Sequence, residues 1–288
     1  MTRAAFMATL LLVPSMASAG AWTHDAGHGY ANVSYGEISA TRFYSPDFRV
    51  VPIQPYAQHV VNVYGEVGIL SRWLTATVDG TLFRYNRITD AGATLGVGDW
   101  RLGLWTGLVT KPVRLSFGVT VGIPTGDPTP HAPVGADADA QEIARSLPTG
   151  DGEWDVEGRF ALGYSFGGKR RWPLVHYLVV EAGYWLRTAG FSDDFVYKVE
   201  LGTGLPWRIV DRFQLILRLA GIESFASNQK AAQNATGLGD GVTYTSPGIE
   251  LYGRIVRRLG ASVAVEGALR ARSLPAAAQV RATISYTW

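Results

Sequence analysis

The protein has 288 residues, no cysteine, and a net charge of +2 from 26 basic and 24 acidic side chains. Without cysteine it has neither a disulfide framework nor a thiolate metal site. The balanced charge creates no overall field that would draw the protein to nucleic acid, so no nucleic-acid partner is expected. The 34 glycines, 13 tyrosines and 9 tryptophans, against only 3 methionines, favour an all-β chain.

The first residues have the three parts of a secretory signal peptide. Arg3 supplies a positive charge, Ala4–Val13 is apolar, and a small-x-small cleavage site ends at Ala19. The apolar stretch is shorter than the ~20 residues that a membrane-spanning helix needs. We therefore predict a cleaved signal peptide over residues 1–19 and a single domain over residues 20–288.

The rest of the chain alternates between apolar and polar residues, which is typical of β-strands with a different environment on each face. Strands of the predicted length suit a tilted crossing of a membrane. Twelve strands are predicted, at Gly29–Ser39, His59–Leu70, Trp73–Ile88, Gly98–Thr110, Val113–Ile123, Trp154–Phe166, Leu174–Thr188, Phe195–Pro206, Arg212–Phe225, Tyr244–Val256, Leu259–Arg272 and Ala276–Trp288.

The predicted connections alternate between short and long. Short turns fall at Ser71-Arg72, Lys111-Pro112, Gly167–Pro173, Arg208–Asp211 and Arg257-Arg258. Long connections fall at Ala40–Ala57, Thr89–Val97, Thr125–Glu153, Ala189–Asp194, Ala226–Thr243 and Ser273–Pro275. Bacterial outer-membrane barrels have short periplasmic turns and long extracellular loops, so the alternation predicts periplasmic termini and a long extracellular loop over 125–153.

The last strand has the clearest alternation in the chain. Val280 and Ile284 fall on one face, whereas Gln279 and Arg281 fall on the other. The aromatic ending Tyr286–Trp288 resembles the C-terminal signal that outer-membrane barrels present to their assembly machinery. We therefore predict an all-β, transmembrane, antiparallel up-and-down β-barrel of about twelve strands in the outer membrane. Its expected partners are outer-membrane lipid, lipopolysaccharide and the assembly machinery.

The two faces of the predicted strands differ in chemistry. The outward face is apolar, with aromatic residues that we predict to form an interface girdle, namely Trp100, Trp154, Tyr184, Trp185, Tyr286 and Trp288. The inward face is predicted to line the lumen with Glu66, Asp79, Asp99, Arg101, Arg114, Asp155, Glu157, Arg159, Glu181, Arg187, Lys198, Glu200, Arg218, Glu250, Arg254, Glu266, Arg270 and Arg281. Because the signs are mixed, this lining is either a lattice of salt bridges or a polar conduit with a ligand site. A strongly selective ion pore normally needs a ring of one sign.

A short motif near the middle of the chain carries a family resemblance. Gly96 and Gly98-Asp99 open one predicted strand, and the next strand runs into Pro124–Asp127, which reads Pro-Thr-Gly-Asp. This pattern resembles the outer-membrane protein family named for the meta-pathway of phenol degradation, over roughly Gly96–Phe166. The resemblance implies an outer-membrane barrel that takes up small, often hydrophobic or aromatic, compounds. It implies no particular binding residues.

Pro-Thr-Gly-Asp occurs twice, at Pro124–Asp127 and Pro148–Asp151, on either side of the longest loop. Proline and glycine end strands, and aspartate bonds to its own following backbone, so a paired closure of the loop is predicted. Ala138–Ser146 is rich in helix formers and is predicted to be one short helix, in a loop that either projects outward or folds inward as a plug. A second interpretation is that carboxylates of this loop bind Ca²⁺ or bridge lipopolysaccharide cations, the candidates being Asp127, Asp137, Asp139, Glu142, Asp151 and Glu153.

Two sequence patterns resemble catalytic or nucleotide-binding motifs, but the residues and predicted structure around them do not fit either motif. Gly163–Gly167 fits the nucleophile-elbow pattern, but Ser165 lies in the middle of a predicted strand that no helix follows. Gly163–Lys169 approximates a phosphate loop, yet Arg170 stands where serine or threonine is needed, and again no helix follows. No cofactor is therefore expected, and an enzyme is not expected. His59 and His131 remain as rim histidines for the alternative of a barrel enzyme that acts on lipids.

The sequence thus supports three hypotheses about function. The first is a passive outer-membrane channel or transporter for small molecules, including hydrophobic or aromatic ones. The second is a structural or cell-surface barrel whose lumen is closed by salt bridges. The third is a barrel enzyme acting on lipids. An open, solvent-lined lumen favours the first hypothesis, and a lumen sealed by ion pairs and by the loop over 125–153 favours the second.

Overall fold

A computed structural model describes residues 20–128, 147–169, 172–205, 212–226 and 236–288. The predicted signal peptide and the predicted helix Ala138–Ser146 lie outside the described residues. In the part of the chain that the structure describes, no helix has the length and apolar character needed to cross a membrane.

The described chain is built from β-strands, as its alternating pattern predicts. In chain order the strands are β1 (Gly29–Tyr44), β2 (Val50–Leu70), β3 (Leu74–Ile88), β4 (Gly92–Gly96), β5 (Trp100–Val109), β6 (Arg114–Ile123), β7 (Asp155–Lys169), β8 (Trp172–Arg187), β9 (Asp194–Gly204), β10 (Phe213–Ser224), β11 (Thr243–Arg254), β12 (Leu259–Glu266), β13 (Arg270–Arg272), β14 (Leu274–Pro275) and β15 (Gln279–Thr287).

The strands form one closed antiparallel sheet. Neighbours in sequence pair with each other, β10 pairs with β11, and β15 pairs with β1 from Tyr30–Thr287 to Ile38–Gln279. Three positions around the wall are each occupied by two strand segments, because β4 and β5 share β3, β12 and β13 share β11, and β14 and β15 share β1. The result is a twelve-stranded β-barrel, which confirms the predicted fold class and the closure by the last strand.

The outer wall is apolar and uncovered. Leu102, Leu186, Val263 and Ile284, on four different strands, are 50%, 53%, 56% and 61% exposed. Apolar side chains exposed on so many strands are unusual for a protein surrounded by water, but they are required of a barrel wall that faces lipid.

The two ends of the barrel differ in their connections. We call the end with the connections β2–β3, β5–β6, β7–β8, β9–β10 and β11–β12 the turn end, and the opposite end the loop end. β1 starts and β15 finishes at the turn end. In outer-membrane barrels these ends face the periplasm and the outside, respectively.

The loop predicted over Ala40–Ala57 is largely strand. β1 and β2 continue up to a turn over residues 45–49. The sequence did not predict this part of β2, because Pro52 and Pro55 are residues that normally argue against a strand. β3 begins to pair with β2 only at Tyr56, so both prolines lie on a sheet edge where a missing N–H removes no bond to β3. Part of the predicted loop between β3 and β5 is likewise strand β4.

The predicted eleventh strand is interrupted after Glu266. Gly248 of β11 pairs with Glu266, whereas Thr245 pairs with Arg270, so the second strand contains one extra residue. An extra residue reverses which face the following side chains occupy. Arg270 therefore lies on the face opposite to Glu266 and pairs with Glu223. This placement differs from its prediction as a lumen-lining residue.

Candidate functional site in the barrel lumen

A ladder of ion pairs crosses the inner wall from β5 to β9. Arg101 lies 3.0 Å from Glu157. Arg159 contacts Glu157 on its own strand and Glu181 on β8, the latter at 2.9 Å. Lys198 on β9 then lies 2.7 Å from Glu181. Arg101 reaches Glu157 across β6, where Gly122 is its direct neighbour, and the other pairs join residues of one strand or of adjacent strands. All of these side chains occupy alternate positions, so the period of the strands places them on one continuous surface.

Arg218 on β10 is the centre of a second group of ion pairs. It lies 3.0 Å from Glu200, 3.2 Å from Glu250 and 2.7 Å from Glu266. Glu266 also pairs with Arg281 on β15 at 2.9 Å. We call these pairs together with the ladder the charged belt. It follows the inner wall from β5 to β15 and leaves the inner faces of β1 to β3 outside it.

A cavity of about 280 Å³ lies inside the barrel beside the belt. It is lined by Tyr30, Asn32, Ser34, Asn62, Tyr64, Asp79, Lys198, Arg218, Glu250, Arg281 and Thr283. Every lining residue therefore carries a polar group. The side chains on β1 and β2 and Thr283 of β15 are neutral, whereas those on β9 to β11, Arg281 of β15 and Asp79 of β3 are charged.

The neutral side of the cavity is organised by hydrogen bonds between side chains. Asn32 Nδ2 donates to Tyr30 Oη at 3.2 Å, and Thr81 Oγ1 donates to Asn62 Oδ1 at 2.7 Å. The rings of Tyr30 and Tyr64 have centroids 6.3 Å apart. This side presents hydroxyl and amide groups to the cavity without adding charge.

The loop end is held by a buried cluster around Arg187, which we call the mouth network. The Arg187 side chain is 2% exposed and contacts Asp151 at 2.9 Å, Glu153, and Asp194 at 3.5 Å. It also donates to the carbonyl of Gly239 at 3.1 Å. One guanidinium thus ties together three connections of the loop end. Burial raises the pKa of Glu153 to about 7, an effect that the Arg187 charge partly offsets.

Both Pro-Thr-Gly-Asp copies donate backbone hydrogen bonds to the same carboxylate. Asp99, in the break between β4 and β5, accepts the N–H of Gly126 at 2.9 Å and the N–H of Asp151 at 2.7 Å. The Asp127 N–H donates to Thr149 Oγ1 at 2.9 Å. A side chain on Gly126 would collide with the backbone of the second copy. The residues that carry the family resemblance are thus in direct contact and close the base of the long loop.

An apolar anchor from the same loop fills the lumen beside β2 to β4. Leu147 is fully buried against Tyr56. Its carbonyl accepts a hydrogen bond from Thr94 Oγ1 at 2.8 Å, and the carbonyl of Pro148 accepts one from Asn86 Nδ2 at 3.1 Å. The described base of the loop therefore folds inward at the mouth of the barrel.

The turn end is filled by residues Gly20–His28, which we call the pre-barrel segment. Ala21 is buried in a cluster with Trp105 and Ala161 of the inner wall. Ser116 Oγ donates to the carbonyl of Gly20 at 2.5 Å. The start of this segment, Gly20–Trp22, therefore occupies the lumen on the side of β5 to β8, whereas the cavity borders β1 to β3 and β9 to β15.

Aromatic and polar contacts continue along the pre-barrel segment. The ring of Trp22 meets Tyr177 edge-on, with centroids 6.1 Å apart, and the Arg114 guanidinium lies 5.9 Å from the Trp22 ring. His24 Nε2 lies 2.6 Å from Glu66 Oε1. Two predicted lumen residues, Arg114 and Glu66, thus contact this segment and not the charged belt.

The predicted site residues therefore fall into separate places. The belt brings together Arg101, Asp155, Glu157, Arg159, Glu181, Lys198, Glu200, Arg218, Glu250, Glu266 and Arg281. Asp79 lines the cavity, Asp99 and Arg187 belong to the mouth, and Arg254 lies at the turn end of β11.

The structure corrects one aromatic assignment. Trp185 was predicted in the outer girdle, but the guanidinium groups of Arg101 and Arg187 lie 4.7 and 4.8 Å from its ring, so it faces inward. The alternation of the strand predicts this orientation, because Trp185 is two residues from the inward-facing Arg187 and therefore lies on the same face of β8. Trp105 was also missed, and its parity with Arg101 predicts an inward side chain.

Three of the four histidines in the described part of the chain, His24, His59 and His176, contact aromatic rings or a carboxylate. His59 Nδ1 lies 2.6 Å from Tyr35 Oη, and His176 stacks on Phe166 at 5.1 Å. His131 lies outside the described residues, as do three of the carboxylates considered for Ca²⁺. Asp151 and Glu153 of that set contact Arg187 instead. Among the residues with described positions, no three His, Asp or Glu side chains stand together as a metal site.

No protein-family model matches this sequence, and no curated protein matches it. Among solved structures, it is similar to the COG4313 outer membrane channel from Pseudomonas putida F1, at 15% identity and a TM-score of 0.64, over 95% of this chain and 100% of that one. It is also similar to the β domain of the Bordetella autotransporter BrkA, at 12% identity and a TM-score of 0.50, over 92% and 100% of the two chains. The chain therefore has the fold of bacterial outer-membrane β-barrels.

Proposed function

We propose that this protein is a passive outer-membrane channel through which small solutes reach the periplasm. The observation that carries the proposal is a polar cavity of about 280 Å³ inside a closed barrel whose outer wall is apolar. A wall of this kind partitions into lipid, and a polar interior lowers the cost of moving a hydrated solute across it.

The family resemblance and the similar channel from Pseudomonas putida F1 support this proposal. We further propose that the chain belongs to the family named for the meta-pathway of phenol degradation. That family suggests hydrophobic or aromatic solutes, whereas the cavity is lined by polar side chains. The proposal is therefore for small solutes in general, with their size limited by the cavity.

Liposome swelling with the purified protein tests the channel directly. We expect swelling rates to fall steeply with solute size, because the cavity is small and two segments enter the lumen from opposite ends. Liposomes containing the heat-unfolded protein are the control. Equal, background swelling in both preparations for all solutes would reject the channel.

The alternative is a structural barrel whose lumen is permanently closed. It is favoured by the charged belt and by the two segments that enter the lumen from opposite ends. In that case, a correctly folded protein gives no swelling with any solute. We do not propose the lipid enzyme, because it needs a rim histidine beside serine or aspartate, and His59 contacts Tyr35.

We propose outer-membrane lipid, lipopolysaccharide and the barrel assembly machinery as partners. Tyr286 and Trp288 end the strand that pairs with β1, and their rings stack with centroids 6.2 Å apart. Deletion of Tyr286–Trp288 is expected to abolish insertion into the outer membrane before any effect on transport. Membrane fractionation checks this expectation, and normal insertion of the shortened chain would contradict it.

A further inference from the structure

The cavity is asymmetric in its chemistry. On one side, Tyr30, Asn32 and Thr283 offer neutral hydroxyl and amide groups. On the other side, Arg218 and Glu250 belong to the charged belt. A solute in the cavity therefore meets neutral hydrogen-bonding groups on β1 and β2, the Asp79 carboxylate on the adjoining strand β3, and the charges of the belt on the other side.

The lining of the lumen has more carboxylates than cations. In the charged belt, the cations are Arg101, Arg159, Lys198, Arg218 and Arg281, and the carboxylates are Asp155, Glu157, Glu181, Glu200, Glu250 and Glu266. Asp79 makes seven carboxylates against five cations in this part of the structure. The mouth network adds three carboxylates around the Arg187 guanidinium, and Arg84 of β3 is one further cation near them, so carboxylates remain in excess. A net negative, low-dielectric passage favours cations over anions.

Asp79 is a carboxylate of the cavity lining that forms no ion pair with the cations of the charged belt. It is exposed to the cavity, and within the described part of the chain no cationic group lies within 4.0 Å of it. Its nearest cationic neighbours along the wall already have partners, since Arg101 binds Asp155 and Arg281 binds Glu266. By contrast, Glu250, the other carboxylate of the cavity, is paired with Arg218.

We propose that the cavity binds a small, hydrogen-bonding solute with a protonated amine, whose ammonium group contacts Asp79. This proposal rests on the proposed channel function and names the class of solute that the channel prefers. The hydroxyl and amide groups of Tyr30, Asn32 and Asn62 bind the polar remainder of the solute. A solute of the size of 2-aminoethanol fits well within about 280 Å³.

Anionic solutes are disfavoured by the same arrangement. Every cation that lines the cavity already contacts a carboxylate, as Lys198 does with Glu181. An incoming anion must compete with those carboxylates or add to their repulsion. A protonated primary amine, by contrast, gives Asp79 its first close cationic partner. The charged hydrogen bond between them offsets the cost of removing water from the ammonium group.

The test uses three solutes of nearly equal size, namely 2-aminoethanol, ethylene glycol and glycolate, which are cationic, neutral and anionic at neutral pH. Reversal potentials in planar bilayers give the permeability ratio of 2-aminoethanol to glycolate, and liposome swelling gives the ethylene glycol rate. For the wild type we expect a ratio well above one. In Asp79→Asn the ratio falls by at least about fivefold, the factor for one ion attraction at about 4 Å in water, because the attraction is stronger in the lower dielectric of the passage. The ethylene glycol rate stays unchanged.

Asp47→Asn is the matched control, since Asp47 is exposed in the β1–β2 turn beside Arg49 and lies outside the cavity. It removes the same charge and leaves the ratio as in the wild type. A second measurement needs no variant: 2-aminoethanol should reduce the potassium current of the wild type saturably, and ethylene glycol should not. An unchanged ratio in a folded Asp79→Asn barrel, or the absence of saturable block, overturns the proposal. If all three solutes fail to pass, the channel function itself is rejected.

Discussion

The two ends of the lumen are closed by different kinds of contact. At the loop end, a buried guanidinium and the Asp99 carboxylate hold three connections together by charged hydrogen bonds. At the turn end, Ala21 and Trp22 fill the space beside Trp105 and Tyr177 with apolar and aromatic surface. The loop end is therefore held by directional, charged hydrogen bonds, and the turn end by the packing of apolar and aromatic side chains.

The difference follows from what each end must bring together. The loop end joins residues that are far apart in sequence, and charged hydrogen bonds specify which backbone groups meet because they depend on direction. The turn end receives one continuous segment, which needs only a complementary space. We therefore expect the loop end to be sensitive to loss of charge and the turn end to loss of volume.

Replacement of Arg187 by methionine tests the loop end most severely. It leaves Asp151, Glu153 and Asp194 buried without their cation, which is expected to lower the free energy of unfolding by about 3–5 kcal/mol. Urea unfolding in detergent measures the loss. Arg72→Met is the control, because the Arg72–Asp25 pair is about half exposed on both sides and is worth at most about 1 kcal/mol. Equal losses in the two variants would show that charge does not hold this end.

Replacement of Asp99 by asparagine weakens the same end at a second point. One of the two backbone N–H groups, on Gly126 or Asp151, then faces an amide NH₂ group and loses its acceptor. We expect a loss of about 2–3 kcal/mol and faster proteolysis within the loop over 125–153. Asp47→Asn, at the exposed β1–β2 turn, is the control and leaves both readouts unchanged. If the loop of Asp99→Asn were cleaved no faster than that of the wild type, the hydrogen bonds to Asp99 would not hold the base of the loop.

Replacement of Trp22 by alanine tests the turn end. It removes a half-buried indole from the lumen, with an expected loss of about 2 kcal/mol and a faster swelling rate for small solutes. Trp73→Ala removes an indole that is 61% exposed at the same end, so swelling should be unchanged in that variant. If the two variants swell alike, the pre-barrel segment does not restrict the lumen.

The smallest expected effect is on the pH dependence of the loop end. Burial raises the pKa of Glu153 from 4.5 to about 7, and it also raises that of Asp151. The folded protein therefore binds a proton more tightly than the unfolded chain, so the stability contributed by Glu153 falls as pH rises from 4.5 to about 7. The other charged groups around these two carboxylates are Arg84, Asp99, Asp155, Arg187 and Asp194. Urea midpoints across this range should slope less in Glu153→Gln, and an identical slope would count against a raised pKa.

The parts of the fold that follow from local pattern were predictable. The alternation of side chains placed the strands of the charged belt, including Arg159, Glu181 and Arg218, on the inner face. It failed where the pattern is interrupted. Pro52 and Pro55 concealed the start of β2, and one extra residue before Arg270 reversed the face of β13. Neither event leaves a local signal, because each depends on which neighbouring strand pairs at that point.

The candidate site was predictable only as a set of charged residues. Alternation assigned Asp79 and Arg101 to the lumen, but it did not separate a paired carboxylate from an available one. That difference depends on the register between strands and on the reach of the side chains. The position of Trp22 was likewise hidden, since residues before the first strand have no alternation to reveal where they pack.

By itself, the sequence determined a closed, antiparallel barrel with an apolar exterior, a charged interior, and turns and loops at opposite ends. These features depend on the period of the strand and on composition, which are local properties of the chain. Only the tertiary structure decided that carboxylates outnumber their cations in the lumen and that Asp79 is left facing a cavity. It alone revealed that one end is closed by Arg187 and the other by Trp22, because these contacts join residues that the chain brings together only when the barrel closes.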